Sequence, residues 1–154
     1  MKTYIDALYY TLNVSTTLGN GDITPITKVT KINTIIHSLL VFFSVSTFVF
    51  QSESNFALFA FANLAIIYGM TFVYKSIDPD LAKDNTDYTY FSVITHTTVG
   101  FGDHKAPLPD KTKIAVVGHI VLMFLLLNTF NKGVFSILRK LFIDSKVDNY
   151  SMLM

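Results

Sequence analysis

Two short phrases carry the residues whose types and spacing could do chemistry. Thr16-Thr17-Leu18-Gly19-Asn20-Gly21-Asp22 and Thr97-Thr98-Val99-Gly100-Phe101-Gly102-Asp103 both read Thr-Thr-x-Gly-x-Gly-Asp. The chemistry suited to such a phrase is the dehydration and rebinding of a cation. A narrow passage must replace an ion's waters with oxygens and still let it leave. A strand whose successive carbonyls face one axis does this. Such a strand needs backbone conformations that a Cβ disfavours, which places glycine at alternate positions. Gly19 and Gly21 meet that need, as do Gly100 and Gly102, and the Thr17 and Thr98 hydroxyls offer a further oxygen ring.

Other chemistries find little support. The chain has no cysteine, which excludes disulfides, thiolate metal sites and a cysteine nucleophile. The Gly-rich turns lack the Lys-Ser/Thr of a phosphate loop, and no catalytic triad is visible, so no enzyme and no organic cofactor or small-molecule substrate is expected. A net charge of +1 gives nucleic-acid binding no electrostatic basis.

The elements that must position the two phrases lie in a membrane. Of the 154 residues, 51% are hydrophobic. Ile32–Phe50, Asn55–Tyr74 and Ile114–Leu138 are each of the length that crosses a bilayer, about 20 apolar residues. The alternative, buried helices of a soluble bundle, leaves too little polar surface to cover three such stretches. No basic segment followed by a short apolar run marks a signal peptide. The halves repeat. Moving 81 positions takes Asp6 to Asp87, Tyr9 to Tyr90, Tyr10 to Phe91 and the first phrase onto the second. One extra residue in the second turn then aligns Lys31 with Lys113, His37 with His119 and Thr47-Phe48 with Thr129-Phe130. Each repeat reads as short helix, Gly-rich segment, polar turn and long apolar helix. The short helices, Tyr4–Thr16 and Asp87–Thr97, are too short to span and suit re-entrant pore helices.

His96-Thr97-Thr98-Val99-Gly100-Phe101-Gly102-Asp103 resembles the signature of potassium channels, and is particularly similar to that of the miniature potassium channels of algal viruses. The tandem arrangement resembles two-pore-domain potassium channels. The resemblance implies that carbonyls of Thr98, Val99, Gly100 and Phe101, with Gly102 beyond them, hold potassium. Thr17, Leu18, Gly19, Asn20 and Gly21 take the same places in the first repeat. It implies an aromatic cuff around the filter at Tyr9, Tyr10, Tyr90 and Phe91, and an acid at the outer mouth at Asp22 and Asp103. Asn20 departs from the family's aromatic residue and Leu18 from its β-branched one, so the first filter is the less typical. A voltage sensor is not expected, since no spanning segment has arginine at every third position.

The expected architecture is an all-α membrane protein, a tandem pore-loop channel with three transmembrane helices and two re-entrant pore helices. The first repeat (1–53) lacks an outer helix in this sequence; the second (54–154) has outer helix, pore helix, filter, inner helix and a short cytosolic tail. Two copies supply four filter segments, so a homodimer in membrane lipid is the minimum closed pore. The expected function is potassium-selective conduction; the alternatives are a non-selective monovalent cation channel, a poorly conducting regulatory subunit, or a transporter built from pore-like repeats. The transporter is disfavoured by two intact Gly-x-Gly segments. Filters of this family open outward, which puts the polar turns outside, although the distribution of lysine and arginine points the other way.

Individual residues admit two readings. His96, behind the second filter, is a hydrogen-bonded packing residue or a proton sensor. His37 and His119 occupy equivalent sites, which suits a shared structural hydrogen bond. His104 is expected to face external water. Ser46 and Asn128 are candidates for the inner cavity, and Phe48 and Phe130 for a hydrophobic inner constriction.

Overall fold

In the computed structural model, residues 3–49, 56–104 and 107–130 are described. Five helices and no strand occur among them: α1 (Tyr4–Ser15), α2 (Lys28–Val49), α3 (Phe56–Ile77), α4 (Asn85–His96) and α5 (Asp110–Phe130). Two of them, α2 over Lys28–Ser46 and α3 over Phe56–Ile77, are long and apolar enough to cross a membrane. The described part of α5 is 21 residues, about 32 Å at 1.5 Å per residue. The rest of the expected Ile114–Leu138 stretch, with Asn131 and Lys132, lies outside the described residues.

The short helices have well-marked starts. Thr3 Oγ1 accepts from the Asp6 amide (3.2 Å) and Asp6 Oδ2 accepts from the Thr3 amide (3.1 Å), a reciprocal cap on α1. Asp84 caps α4 by accepting from the Asp87 amide at 3.0 Å. This contact is the main reason the Asp84 carboxyl sits below its ordinary pKa. Asp6 and Asp87 place negative charge in the first turns, where the helix dipole favours it. At the other ends, the Thr16 hydroxyl donates to the Leu12 carbonyl and the Thr97 hydroxyl to the Val93 carbonyl, the same contact in both repeats. Both helices stop where Thr17 and Thr98 turn to positive φ.

The two repeats share one core. Val14 of the first packs with Tyr90, Ile94, Val99 and Phe101 of the second, with Tyr10 and Ile35 against them. A second cluster, Tyr74, Leu81, Tyr88 and Phe91, joins α3 and α4 to the start of α5. The α3–α4 turn is held from both sides. Tyr88 donates to the Pro79 carbonyl (2.7 Å), and Thr112 on α5 donates to Asp78 Oδ2 (3.0 Å). Large apolar side chains stay exposed on the outer faces, among them Leu40 on α2, Phe61 and Phe72 on α3 and Ile114 on α5. Such surface needs lipid or protein over it.

Candidate functional site, a paired Gly-rich loop behind two short helices

The loops after α1 and α4 lie side by side. In both, φ is positive at every second residue: Thr17 (56°), Gly19 (56°) and Gly21 (76°), then Thr98 (60°), Gly100 (52°) and Gly102 (70°). Leu18, Asn20, Val99 and Phe101 stand between them with ordinary φ. This alternation is the conformation that turns successive carbonyls toward one side of a strand. The glycines were legible in the sequence; the threonines at positive φ were not, because a β-branched residue there is strained. A Cβ built on Gly19 would overlap the Val99 carbonyl, and one on Gly21 the Phe101 carbonyl. Glycine at these two positions is therefore required by close approach as well as by φ. The C-terminal ends of α1 and α4 run into these loops and bring partial negative charge to them. The Leu18 amide returns to the Asn13 carbonyl and the Gly100 amide to the Ile94 carbonyl, both at 3.0 Å.

Two of the four aromatic side chains, Tyr10 and Tyr90, pack with Val99 and Phe101 of the second loop. Tyr10 stacks on Phe101, ring centroids 5.8 Å apart and nearly parallel, and its hydroxyl is hydrogen-bonded to that of Thr34. Tyr90 donates to Asp103 Oδ2 and, in the matching place, Tyr9 donates to Asp22 Oδ1, both at 3.0 Å. Thus Asp22 and Asp103 are each tied to a tyrosine of their own short helix. Phe91 does not stack on a loop residue here; its ring meets Tyr74 and His104 edge to face.

The two loops differ in how they are backed. Val99 is 3% exposed and Phe101 5%, whereas Leu18 is 66% exposed. Asn20 takes the aromatic's place by donating from Nδ2 to the Tyr9 hydroxyl at 2.7 Å, which continues to Asp22. An amide has thus replaced ring packing with a hydrogen-bonded chain.

Behind the second loop runs a buried polar relay. His96 Nε2 is 2.8 Å from Asn63 Oδ1, His96 Nδ1 is 3.0 Å from His119 Nε2, and His119 Nδ1 is 3.0 Å from the Tyr74 hydroxyl. The Asn63 Nδ2 donates to the Phe59 carbonyl, which fixes its oxygen toward His96. Each later role follows by elimination. His96 donates from Nε2, so its Nδ1 accepts from His119 Nε2–H, and His119 Nδ1 accepts from Tyr74. The equivalent place in the first repeat holds Ser15 Oγ and His37 Nε2 at 3.0 Å. His37 and His119 therefore do bond the last turn of their short helices, as their equivalence implies. The repeat does not point to Asn63 and Tyr74, since no other stretch of the given sequence aligns with α3.

His104 departs from expectation. Its ring lies over Tyr90 (5.5 Å) and against Phe91 (4.9 Å), not in external water, and its side chain is 9% exposed. The two aromatic residues of α4 give it a surface to cover. Its Nδ1 is 3.3 Å from Asp103 Oδ1. Burial works to raise the Asp103 carboxyl, but the His104 ring and the Tyr90 hydroxyl outweigh it and hold the carboxyl below the usual range. Farther in, Ser46 is buried and its hydroxyl bonds the Phe42 carbonyl of its own helix (2.7 Å). The cavity and constriction expected at Phe48, Asn128 and Phe130 rest on side chains outside the described residues.

Two short helices that each run into a Gly-rich loop of alternating positive φ, with long apolar helices packed around them, make up the frame of this site. The family profile described as "Ion channel" matches residues 1–57 and 60–140, and this chain belongs to that family. It is a channel and not an enzyme. It is similar to the potassium channel protein kcv of Paramecium bursaria Chlorella virus 1, at 35% identity over 77 residues, covering 47% of this chain and 81% of the relative. No solved structure matches.

Proposed function

We propose that the chain is a potassium-selective channel that acts as a homodimer, passing dehydrated potassium down its gradient. The observation that carries this is the alternation of positive φ along both Gly-rich loops, the backbone form that a ladder of carbonyl ligands needs. The viral relative's description as a potassium channel names the ion. In this reading the carbonyls of Thr17, Leu18, Gly19 and Asn20 and of Thr98, Val99, Gly100 and Phe101 hold potassium. Asp22 and Asp103 gather cations at the outer mouth. Helices α2, α3 and α5 span the membrane as a multi-pass bundle, α1 and α4 re-enter it, and the residues divide into repeats 1–53 and 54–154. Two loops cannot surround an ion, so a second copy completes the ring.

A second reading, weak selectivity or a subunit that conducts poorly alone, is favoured by the hydrogen-bonded Asn20 in place of a packed ring. Purified protein in planar bilayers, with potassium on one side and sodium on the other, separates the two. A selective filter gives a reversal potential displaced strongly toward the potassium equilibrium value. Reversal near zero sinks the selective reading, and the lack of any current favours the subunit.

A further inference from the structure

The chain carries, between its own repeats, one complete copy of a junction that a ring of four repeats must contain four times. In it α2 of the first repeat lies on α4 of the second. Lys31 Nζ is 2.8 Å from Asp87 Oδ1, the two side chains only 16% and 12% exposed, and the ammonium stands 5.5 Å from the centre of the Tyr90 ring. The repeat places α5 where α2 stands and α1 where α4 stands. Lys113 then corresponds to Lys31, Asp6 to Asp87 and Tyr9 to Tyr90.

We infer that α5 of one copy lies on α1 of a second copy, with Lys113 of the first paired to Asp6 of the second. This rests on the dimeric reading above and gives it a contact surface. Three observations support it. First, α1 lacks the cover that α4 has: Leu12 is 53% exposed where its counterpart Val93 is 1% exposed. Second, the α5 face is open too. Ile114 and Val117 are exposed, whereas Ile35, the counterpart of Val117, packs against the shared core. Among the described residues, Lys113 pairs with Asp110 on the same helix, an exposed i,i+3 pair at 3.0 Å of the kind that contributes little.

Third, the polarity of the junction changes on both sides together. Val14 and Ile94 share the apolar cluster of the first junction. Their counterparts are Thr95 and Asn13. Asn13 is 5% exposed, and its Oδ1 has no hydrogen-bond partner among the described residues. A buried amide oxygen left so is costly, and the second junction faces it with a threonine. The ring's four junctions would therefore be of two kinds, one apolar and within a chain, the other more polar and between chains. The operation that brings α5 onto α1 also brings the partner's α5 onto this α1. It closes the ring with two copies and leaves no open end.

The absence of cysteine gives a clean background for cross-linking. Full-length protein in detergent carries either Asp6→Cys with Lys113→Cys or, as control, Lys31→Cys with Asp87→Cys, and is treated with a short bis-maleimide. Native mass measurement of the untreated protein fixes the number of copies. The expected result is a mass of two copies, a link within one chain for the control, and a covalent dimer for the test pair. A two-copy mass with the control linked and the test pair unlinked, or linked within one chain, overturns the junction and leaves the dimer standing. A mass of one or four copies overturns both. Should the cysteine variants fold poorly, charge reversal gives a second measure. Asp6→Lys or Lys113→Asp alone should raise the dimer dissociation constant about tenfold or more, and the two together should restore it. Failure of the swap to restore it would likewise refute the pairing.

Discussion

Asp103 illustrates how one side chain serves both the fold and the site. Its carboxylate accepts from Tyr90 and lies beside His104, and these contacts hold it ionised below the usual carboxylate range despite burial. Because the folded value is depressed, the stabilisation is complete above the unfolded value of about 3.9 and is lost as pH falls through the folded value. Asp103→Asn keeps an acceptor for Tyr90 but removes the charge. It should lower the stability of the detergent-solubilised protein by about 1 kcal/mol at pH 7. The difference should shrink as pH falls below the unfolded value and through the lower folded one. Thermal unfolding of both proteins at pH 7 and through the acid range measures this, and a gap unchanged throughout would show that the charge is not what matters. In the proposed function, where Asp103 gathers cations at the outer mouth, the same substitution should reduce inward potassium current most at low external potassium. Asn20 is the other residue on which the reading turns, since its amide holds the first loop to Tyr9 through a single hydrogen bond.

Among the elements, the relay behind the second loop couples three helices: Asn63 and Tyr74 on α3, His96 on α4 and His119 on α5. Its direction is fixed at one end by Asn63 and depends at the other on the Tyr74 proton. Tyr74→Phe keeps the ring contacts with Phe91 and His119 and removes that proton. His119 Nδ1 is then left buried and unpaired, at a cost of about 1–3 kcal/mol. A lowered melting temperature with unaltered helix content by circular dichroism is the expected outcome; an unchanged melting temperature would show that the relay does not hold the helices together. The elements themselves were largely legible. The length of the apolar runs and the doubled phrase place α1 to α4 within a few residues of where they fold. The relay was legible only at its histidines, His119 through its counterpart His37 and His96 through its place beside the second phrase. Periodicity reports what both repeats do, and no other stretch of the given sequence aligns with α3. His104 was misread for a related reason. A polar residue after an acid suggests solvent, but the rings it covers lie 13 and 14 positions away, a distance that local pattern does not reach.

At the scale of the molecule, the repeat predicts more than one chain contains. Gly19 and Gly21 lie against carbonyls of the other loop, while a Cβ on Gly100 or Gly102 would meet nothing among the described residues within 4 Å. A chain working alone would therefore treat the two repeats differently. Gly100→Ala would carry only the strain of its positive φ, roughly 1–2 kcal/mol, whereas Gly19→Ala would also drive a methyl into the Val99 carbonyl. A closed two-copy ring removes the difference. Gly100 then faces the partner's first loop as Gly19 faces the second, because each loop has a neighbour on both sides. Gly19→Ala and Gly100→Ala should then be equally severe, each abolishing potassium current from channels that still reach the membrane and still run as dimers. Current recorded alongside surface labelling makes the comparison. A Gly100→Ala channel that conducts with its selectivity intact, beside a silent Gly19→Ala channel, would mean that the open side of the second loop remains open in the working protein.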